Sequence, residues 1–184
     1  MSDAISVRGK RIVPLFTARQ IDERNAEMAA EIAAQSTSDL LVIAILKGSF
    51  VFAADLIRAM HASGAEPEVE FITLSSYGAG TEGGEVQILR DVDSQVEDRD
   101  VLLIDDILES GRTLQFARDL MVERGARSVR IAVLLDKQSR RKAPVDADHA
   151  GFVCPDHFVV GYGMDVGHAF RELPFVGVVE DDDT

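Results

Sequence analysis

The chain is predicted to be an α/β protein built around a mostly parallel sheet, and two observations carry that reading. Apolar runs rich in Val, Ile and Leu recur within Leu40–Leu46, Asp100–Leu108 and Ser128–Leu135. Runs of this kind mark strands covered on both faces. Segments with apolar residues at helical spacing lie between them, and strand–helix alternation favours parallel strands joined by crossover helices. A length of 184 residues, 46% of them hydrophobic, suits one domain over 1–184 with a packed core.

Each element has its own justification. Thr17-Ala18-Arg19-Gln20 has the form of a capping box, and Ile21, Met28 and Ile32 follow on one helical face, giving a helix of about four turns. Leu40–Leu46 reads as a buried strand. Phe50–Ala62 reads as a helix that Gly64 is placed to end. Residues 69–76 alternate partly and read as a strand. Gly78-Ala79-Gly80-Thr81-Glu82-Gly83-Gly84 holds four glycines in seven residues, too many for a rigid element, and residues 86–89 resume an extended pattern. Asp100–Leu108 is a second buried strand. Residues 113–124 form a helix with Leu114, Ala117, Leu120 and Met121 inward, closed by Gly125. Ser128–Leu135 is a third buried strand, and residues 158–160 and 175–179 are two more. The acidic tail from Glu180 is expected to be a solvated terminus.

Composition narrows the function classes. The formal net charge is −13, which argues against a nucleic-acid partner, because duplex binding needs clustered Lys and Arg. Phosphorylated small molecules remain open to an acidic protein through backbone N–H groups and a divalent cation. The lone cysteine, Cys154, excludes an internal disulfide and a cysteine-cluster metal site. No apolar run approaches the ~20 residues of a membrane span, and the first residues lack a leader pattern. A cytoplasmic protein without a membrane partner is expected.

In open parallel sheets, ligands sit beyond the carboxyl ends of the strands, and there the sequence is most informative. Val101-Leu102-Leu103-Ile104-Asp105-Asp106-Ile107-Leu108-Glu109-Ser110-Gly111-Arg112-Thr113-Leu114 runs from a buried strand through two adjacent acids and a short turn into a helix. Ser110, Gly111, Arg112 and Thr113 place backbone N–H groups and hydroxyls at a helix N-terminus, a ready anion site. Asp105 and Asp106 suit ribose hydroxyls or a magnesium ion. The same residues would also serve as turn chemistry, with Ser110 as an N-cap.

This segment resembles the phosphoribosyl pyrophosphate-binding motif of type I phosphoribosyltransferases. From Leu46 to about Val179 the chain looks like the hypoxanthine-guanine phosphoribosyltransferase family within them. The resemblance implies that family's fold, a central sheet flanked by helices. A small hood would be formed by the N-terminal residues and the segment after about 140, and a flexible lid by residues 75–88. Lys47 and Gly48, in Leu46-Lys47-Gly48-Ser49, match a loop that binds pyrophosphate through backbone amides, often with unusual peptide geometry. Ser76 and Tyr77 match a pair that closes over pyrophosphate. Lys137 matches a donor to the purine O6, Phe158 an aromatic stacked on the base, and Val159 a backbone carbonyl facing it. Asp165 matches a base-site residue and ligand of a second magnesium, and Arg171 a pyrophosphate contact. With Asp105 and Asp106, Asp165 completes the implied metal set.

The implied substrates are phosphoribosyl pyrophosphate and a 6-oxopurine, with Mg2+ as cofactor and a homodimer or homotetramer as the assembly. Glu109 takes the position of the group that manages the purine proton at N7. The family usually has Asp there, and often Glu where this chain has Asp105. Two other readings remain open from the residues: a receiver-type phosphoacceptor domain, which also pairs acids with a lysine, and a non-catalytic regulatory module of the same fold. His61, His149, His157 and His168 lack metal-ligand spacing, and Arg140-Arg141-Lys142 reads as a solvated loop or as a contact that helps to assemble an oligomer.

Overall fold

The computed structural model describes residues 4–76, the last by its backbone alone, and 86–180. In chain order they form β1 (Ile5–Val7), β2 (Lys10–Phe16), α1 (Ala18–Ala34), β3 (Leu40–Leu46), α2 (Phe50–Ala62), β4 (Glu68–Ser76) and β5 (Val86–Arg90). There follow β6 (Asp100–Leu108), α3 (Arg112–Glu123), β7 (Ser128–Asp136), a 3-10 turn at Gln138–Arg140, β8 (His149–Val153), β9 (Val159–Val160) and β10 (Val176–Glu180). The expected capping box is present: Thr17 Oγ1 accepts from the Gln20 N–H at 3.3 Å, and Gln20 Oε1 accepts from the Thr17 N–H at 2.9 Å. No helix among the described residues is long and apolar enough to cross a membrane.

Six strands make the main sheet in the order β5-β4-β3-β6-β7-β8. All neighbours are parallel except the β4–β5 pair. The unbroken apolar runs now have a physical cause, since both faces are covered. Along β3, Leu40, Val42 and Ala44 pack on one side with residues of α1 and α2. Leu41, Ile43 and Ile45 pack on the other side with Leu114, Ala117 and Met121 of α3. The two crossover helices α2 and α3 therefore lie on opposite faces. The chain leaves β3 toward β4 on one side and β6 toward β7 on the other, which opens a crevice beyond the carboxyl ends of β3 and β6.

A second, antiparallel sheet of order β1-β2-β10-β9 stands beside the first. Its own core is Ile12, Val160, Ala169, Phe170 and Leu173. It is tied to the helices of the main sheet by Tyr162, whose hydroxyl donates to Asp55 of α2 and accepts from Asn25 Nδ2 of α1 at 2.9 Å. The hood expectation placed everything after about residue 140 in this second body. Instead β8 pairs with β7 and extends the main sheet, so the second sheet draws on 5–16 and 159–180. Further differences are local. Phe158 precedes β9 and is 60% exposed rather than a core residue. Gly111, at φ 80°, is the N-cap of α3 in place of Ser110. Of the expected lid, Tyr77 and Gly78–Gly84 lie outside the described residues.

Candidate active site

Because β3, β6 and β7 are parallel neighbours, their carboxyl ends bring Lys47-Gly48, Asp105–Gly111 and Lys137 to one edge. Gly48 lies so close to β6 that a Cβ there would stand 1.9 Å from Asp106 Oδ2. Any side chain would collide, so glycine is the residue that lets this backbone approach the acids. The Leu46–Lys47 peptide is cis, matching the unusual geometry expected at this loop. From the second sheet, Gly163 (φ 100°) sits against the same loop, where a Cβ would meet the Gly48 carbonyl oxygen at 2.2 Å. Lys47 itself is exposed.

Two adjoining cavities open here. The first, about 230 Å3, runs from Asp105 and Asp106 along Glu109, Ser110 and Gly111 to Thr113 at the start of α3. The first-turn N–H groups of a helix have no partner within it and carry a partial positive charge. This cavity can therefore seat a phosphate at one end and meets two carboxylates at the other. The turn is braced from behind. The N–H groups of Lys142 and Ala143 donate to the Ser110 carbonyl at 2.9 and 3.0 Å. The Arg141 guanidinium donates to the carbonyls of Glu109 (3.2 Å) and Val145 and pairs with Asp136. Arg141 is thus a buttress of the site rather than a solvated loop residue, a role the sequence hinted at only by a cationic triplet after a strand.

The second cavity, about 200 Å3, is lined by Lys137, His157, Phe158, Val159, Met164 and Asp165, and shares Asp106, Ile107 and Glu109 with the first. It offers an exposed aromatic ring, apolar walls and one buried cation. The Lys137 side chain is 7% exposed, and its Nζ contacts Glu109 Oε1 (3.0 Å), the His157 carbonyl (3.0 Å) and Asp156 Oδ1 (3.3 Å). At the rim, Arg171 donates to the Gly163 carbonyl at 2.6 Å and pairs with Asp165 Oδ1 at 2.6 Å, while Asp165 Oδ2 accepts from the His168 N–H at 2.7 Å.

Electrostatics set this edge apart. Burial, then the charge of Asp106, push the Asp105 carboxyl well above the ordinary aspartate range. Burial also raises Asp106, although a hydrogen bond with Asp105, then backbone donors and the nearby Arg171, oppose it. Two acids in this condition gain from ribose hydroxyls or a cation placed against them. No cluster of three His, Cys, Asp or Glu side chains able to hold a metal occurs among the described residues.

The structure therefore brings Lys47, Gly48, Asp105, Asp106, Glu109, Ser110, Gly111, Arg112, Thr113, Lys137, Phe158, Val159, Asp165 and Arg171 to one edge. Ser76 ends β4 at the carboxyl side of the same sheet. The chain is also similar in sequence and in fold to known proteins. Residues 15–166 match the family described as phosphoribosyl transferase domain. The chain is 42% identical over 168 residues to the hypoxanthine-guanine phosphoribosyltransferase of Bacillus subtilis, covering 90% of this chain and 92% of that protein. A crystal structure of a hypoxanthine phosphoribosyltransferase from Staphylococcus aureus is similar at a TM-score of 0.86 and 40% identity over 91% of each chain. The bifunctional protein TilS/HprT of Listeria innocua is 40% identical over 168 residues, and this chain spans 26% of its length.

Proposed function

The chain belongs to the phosphoribosyl transferase family, and on that footing we propose that it acts in purine salvage, transferring phosphoribosyl from phosphoribosyl pyrophosphate to hypoxanthine or guanine. The observation that carries the reading is the pair of cavities joined at Asp106, Ile107 and Glu109. One is suited to a ribose 5-phosphate, the other to a flat base, and the group shared between them lies where bond exchange must occur.

Each residue then has a task. The N–H groups and hydroxyls from Ser110 to Thr113 seat the 5-phosphate, and Asp105 and Asp106 receive the ribose hydroxyls. The Lys47-Gly48 backbone and Arg171 hold the pyrophosphate, joined by Ser76 and Tyr77. Phe158 stacks on the base, and Val159 presents a carbonyl to it. Lys137 donates to O6; an ammonium has donors only, so it matches an oxo group and not the amino group of adenine. Glu109 takes up the N7 proton as N9 displaces pyrophosphate from C1 of the ribose. Mg2+ bound with the substrate against Asp105 and Asp106 would stabilise the charge on the departing pyrophosphate, and Asp165 would serve a second Mg2+. Asp165 meets Arg171 through Oδ1 and the His168 N–H through Oδ2, which leaves lone pairs on both oxygens for that ion. We extend the reading to a homodimer or homotetramer in the cytoplasm.

Turnover assays with hypoxanthine, guanine, xanthine and adenine, with and without magnesium, test the reading. Magnesium-dependent nucleotide formation from hypoxanthine or guanine, with adenine inert, is the expected result. Binding of phosphoribosyl pyrophosphate without turnover of any base would point to the non-catalytic regulatory module instead.

A further inference from the structure

Lys137 has three N–H donors and no acceptor, and three oxygens already face its Nζ: Glu109 Oε1 at 3.0 Å, the His157 carbonyl at 3.0 Å and Asp156 Oδ1 at 3.3 Å. An incoming O6 must displace one of them. The His157 carbonyl belongs to the backbone that leads into β9. Asp156 is held by Arg140 Nε at 2.7 Å, and that guanidinium, with Lys137 after it, keeps the Asp156 carboxyl below the usual carboxylate range. Glu109 is the least tethered of the three. It projects into both cavities, and Arg140 reaches it only at 3.8 Å.

We infer that Asp156, fixed by Arg140, is a positioning residue that keeps Lys137 aimed into the base cavity when an incoming 6-oxopurine displaces Glu109 from it. The inference rests on the reading above, that this cavity takes a 6-oxopurine. It also gives the length of Glu109 a use. The base that takes the Lys137 hydrogen bond frees the Glu109 carboxylate, and the freed carboxylate is the group needed at N7. Without Asp156, Lys137 would keep one fixed oxygen, the His157 carbonyl, and would follow Glu109 instead of the base.

The test is steady-state kinetics with hypoxanthine and phosphoribosyl pyrophosphate, each varied in turn. Asp156→Asn keeps the shape and removes the charge. It should raise the KM for hypoxanthine about tenfold, the loss of roughly one charge-assisted hydrogen bond, with the KM for phosphoribosyl pyrophosphate and the melting temperature near those of the parent protein. Asp156→Glu should recover most of the loss. Arg140→Gln should give a smaller rise in the same direction, and adding it to Asp156→Asn should do no further harm, because Arg140 acts through Asp156. Arg140 is an exposed residue, so Arg140→Gln carries the test if Asp156→Asn does not fold. An unchanged hypoxanthine KM in these variants, or an equal rise for both substrates, would overturn the inference and leave the proposed activity standing. Absence of turnover with any 6-oxopurine in the parent protein would overturn both.

Discussion

Lys137 carries its charge into a position 7% exposed, a placement that needs partners because an unpaired buried cation is strongly disfavoured. Glu109, Asp156 and the His157 carbonyl supply them, and the proposed base recognition would fall on the same atom as that charge burial. Lys137→Ala should therefore raise the KM for hypoxanthine and guanine while leaving that for phosphoribosyl pyrophosphate near normal. Unchanged purine kinetics would remove Lys137 from the base site. Glu109 is the sharper case. Glu109→Gln keeps the size but removes the proton acceptor, and general-base help is typically worth ~10²–10⁴-fold, so kcat should fall at least about a hundredfold with phosphoribosyl pyrophosphate affinity little changed. Glu109→Asp should be milder: the carboxylate remains, but a side chain one methylene shorter cannot hold the present 3.0 Å contact with Lys137. Normal turnover in Glu109→Gln, with only a small drop in melting temperature, would reduce Glu109 to a favourable charge near the N-terminus of α3.

At the scale of elements, the site is a meeting of turns at the carboxyl ends of β3, β6 and β7, and the closest approach is Gly48 against Asp106. Gly48→Ala places a Cβ 1.9 Å from the Asp106 carboxylate, so the loop or the acid must move. Overpacking of this kind costs about 1–3 kcal/mol, and the loss should appear mainly as a KM for phosphoribosyl pyrophosphate raised tenfold or more, read in the same assay; an unchanged KM would detach the loop from that substrate. The elements that frame this contact were legible in the sequence for a physical reason. β3 and β6 are covered on both faces and so read as unbroken apolar runs, and α1 announces itself by a cap that the structure forms. β1, β2 and β8 escaped notice because half-buried strands at the margins show no such run: β2 holds Pro14 between Val13 and Leu15, and β8 holds Gly151. The site divides in the same way. Asp105 to Thr113 are consecutive and carry their geometry in local order. Arg140, Arg141 and Asp156 meet Glu109 and Lys137 only through the path of the chain between β7 and β9, which no local pattern encodes.

Across the whole molecule, the two ends of the main sheet do different work. The carboxyl end holds raised, crowded acids, whereas the amino end is stapled by Asp100. Its Oδ1 accepts from Arg127 Nε at 3.1 Å and Ser128 Oγ at 2.7 Å, and its Oδ2 from Thr37 Oγ1 and Arg127 Nη2, both at 2.7 Å. One carboxylate thus joins the approach to β3 with the first residues of β6 and β7. Arg127, then Thr37 and Ser128, hold the Asp100 carboxyl far below the ordinary aspartate range. The sign of the linkage follows: a folded-state value below the unfolded one, near 3.9, stabilises the fold fully above about pH 5, and that stability drains away as the pH falls through 4 and below. Asp100→Asn removes the charge and keeps the shape. It should cost about 1–2 kcal/mol at pH 7, since hydrogen bonds to a charged, buried acceptor are among the stronger ones and the partly exposed arginine tempers them. For a chain of this size that is a drop of about 2–8 °C in melting temperature. The gap between parent and variant should narrow steadily between pH 5 and pH 3, as the parent loses what the variant never had. kcat at pH 7 should hold, because none of these groups lines either cavity. A melting-temperature gap of constant size across that range would show that the staple works by shape and not by charge.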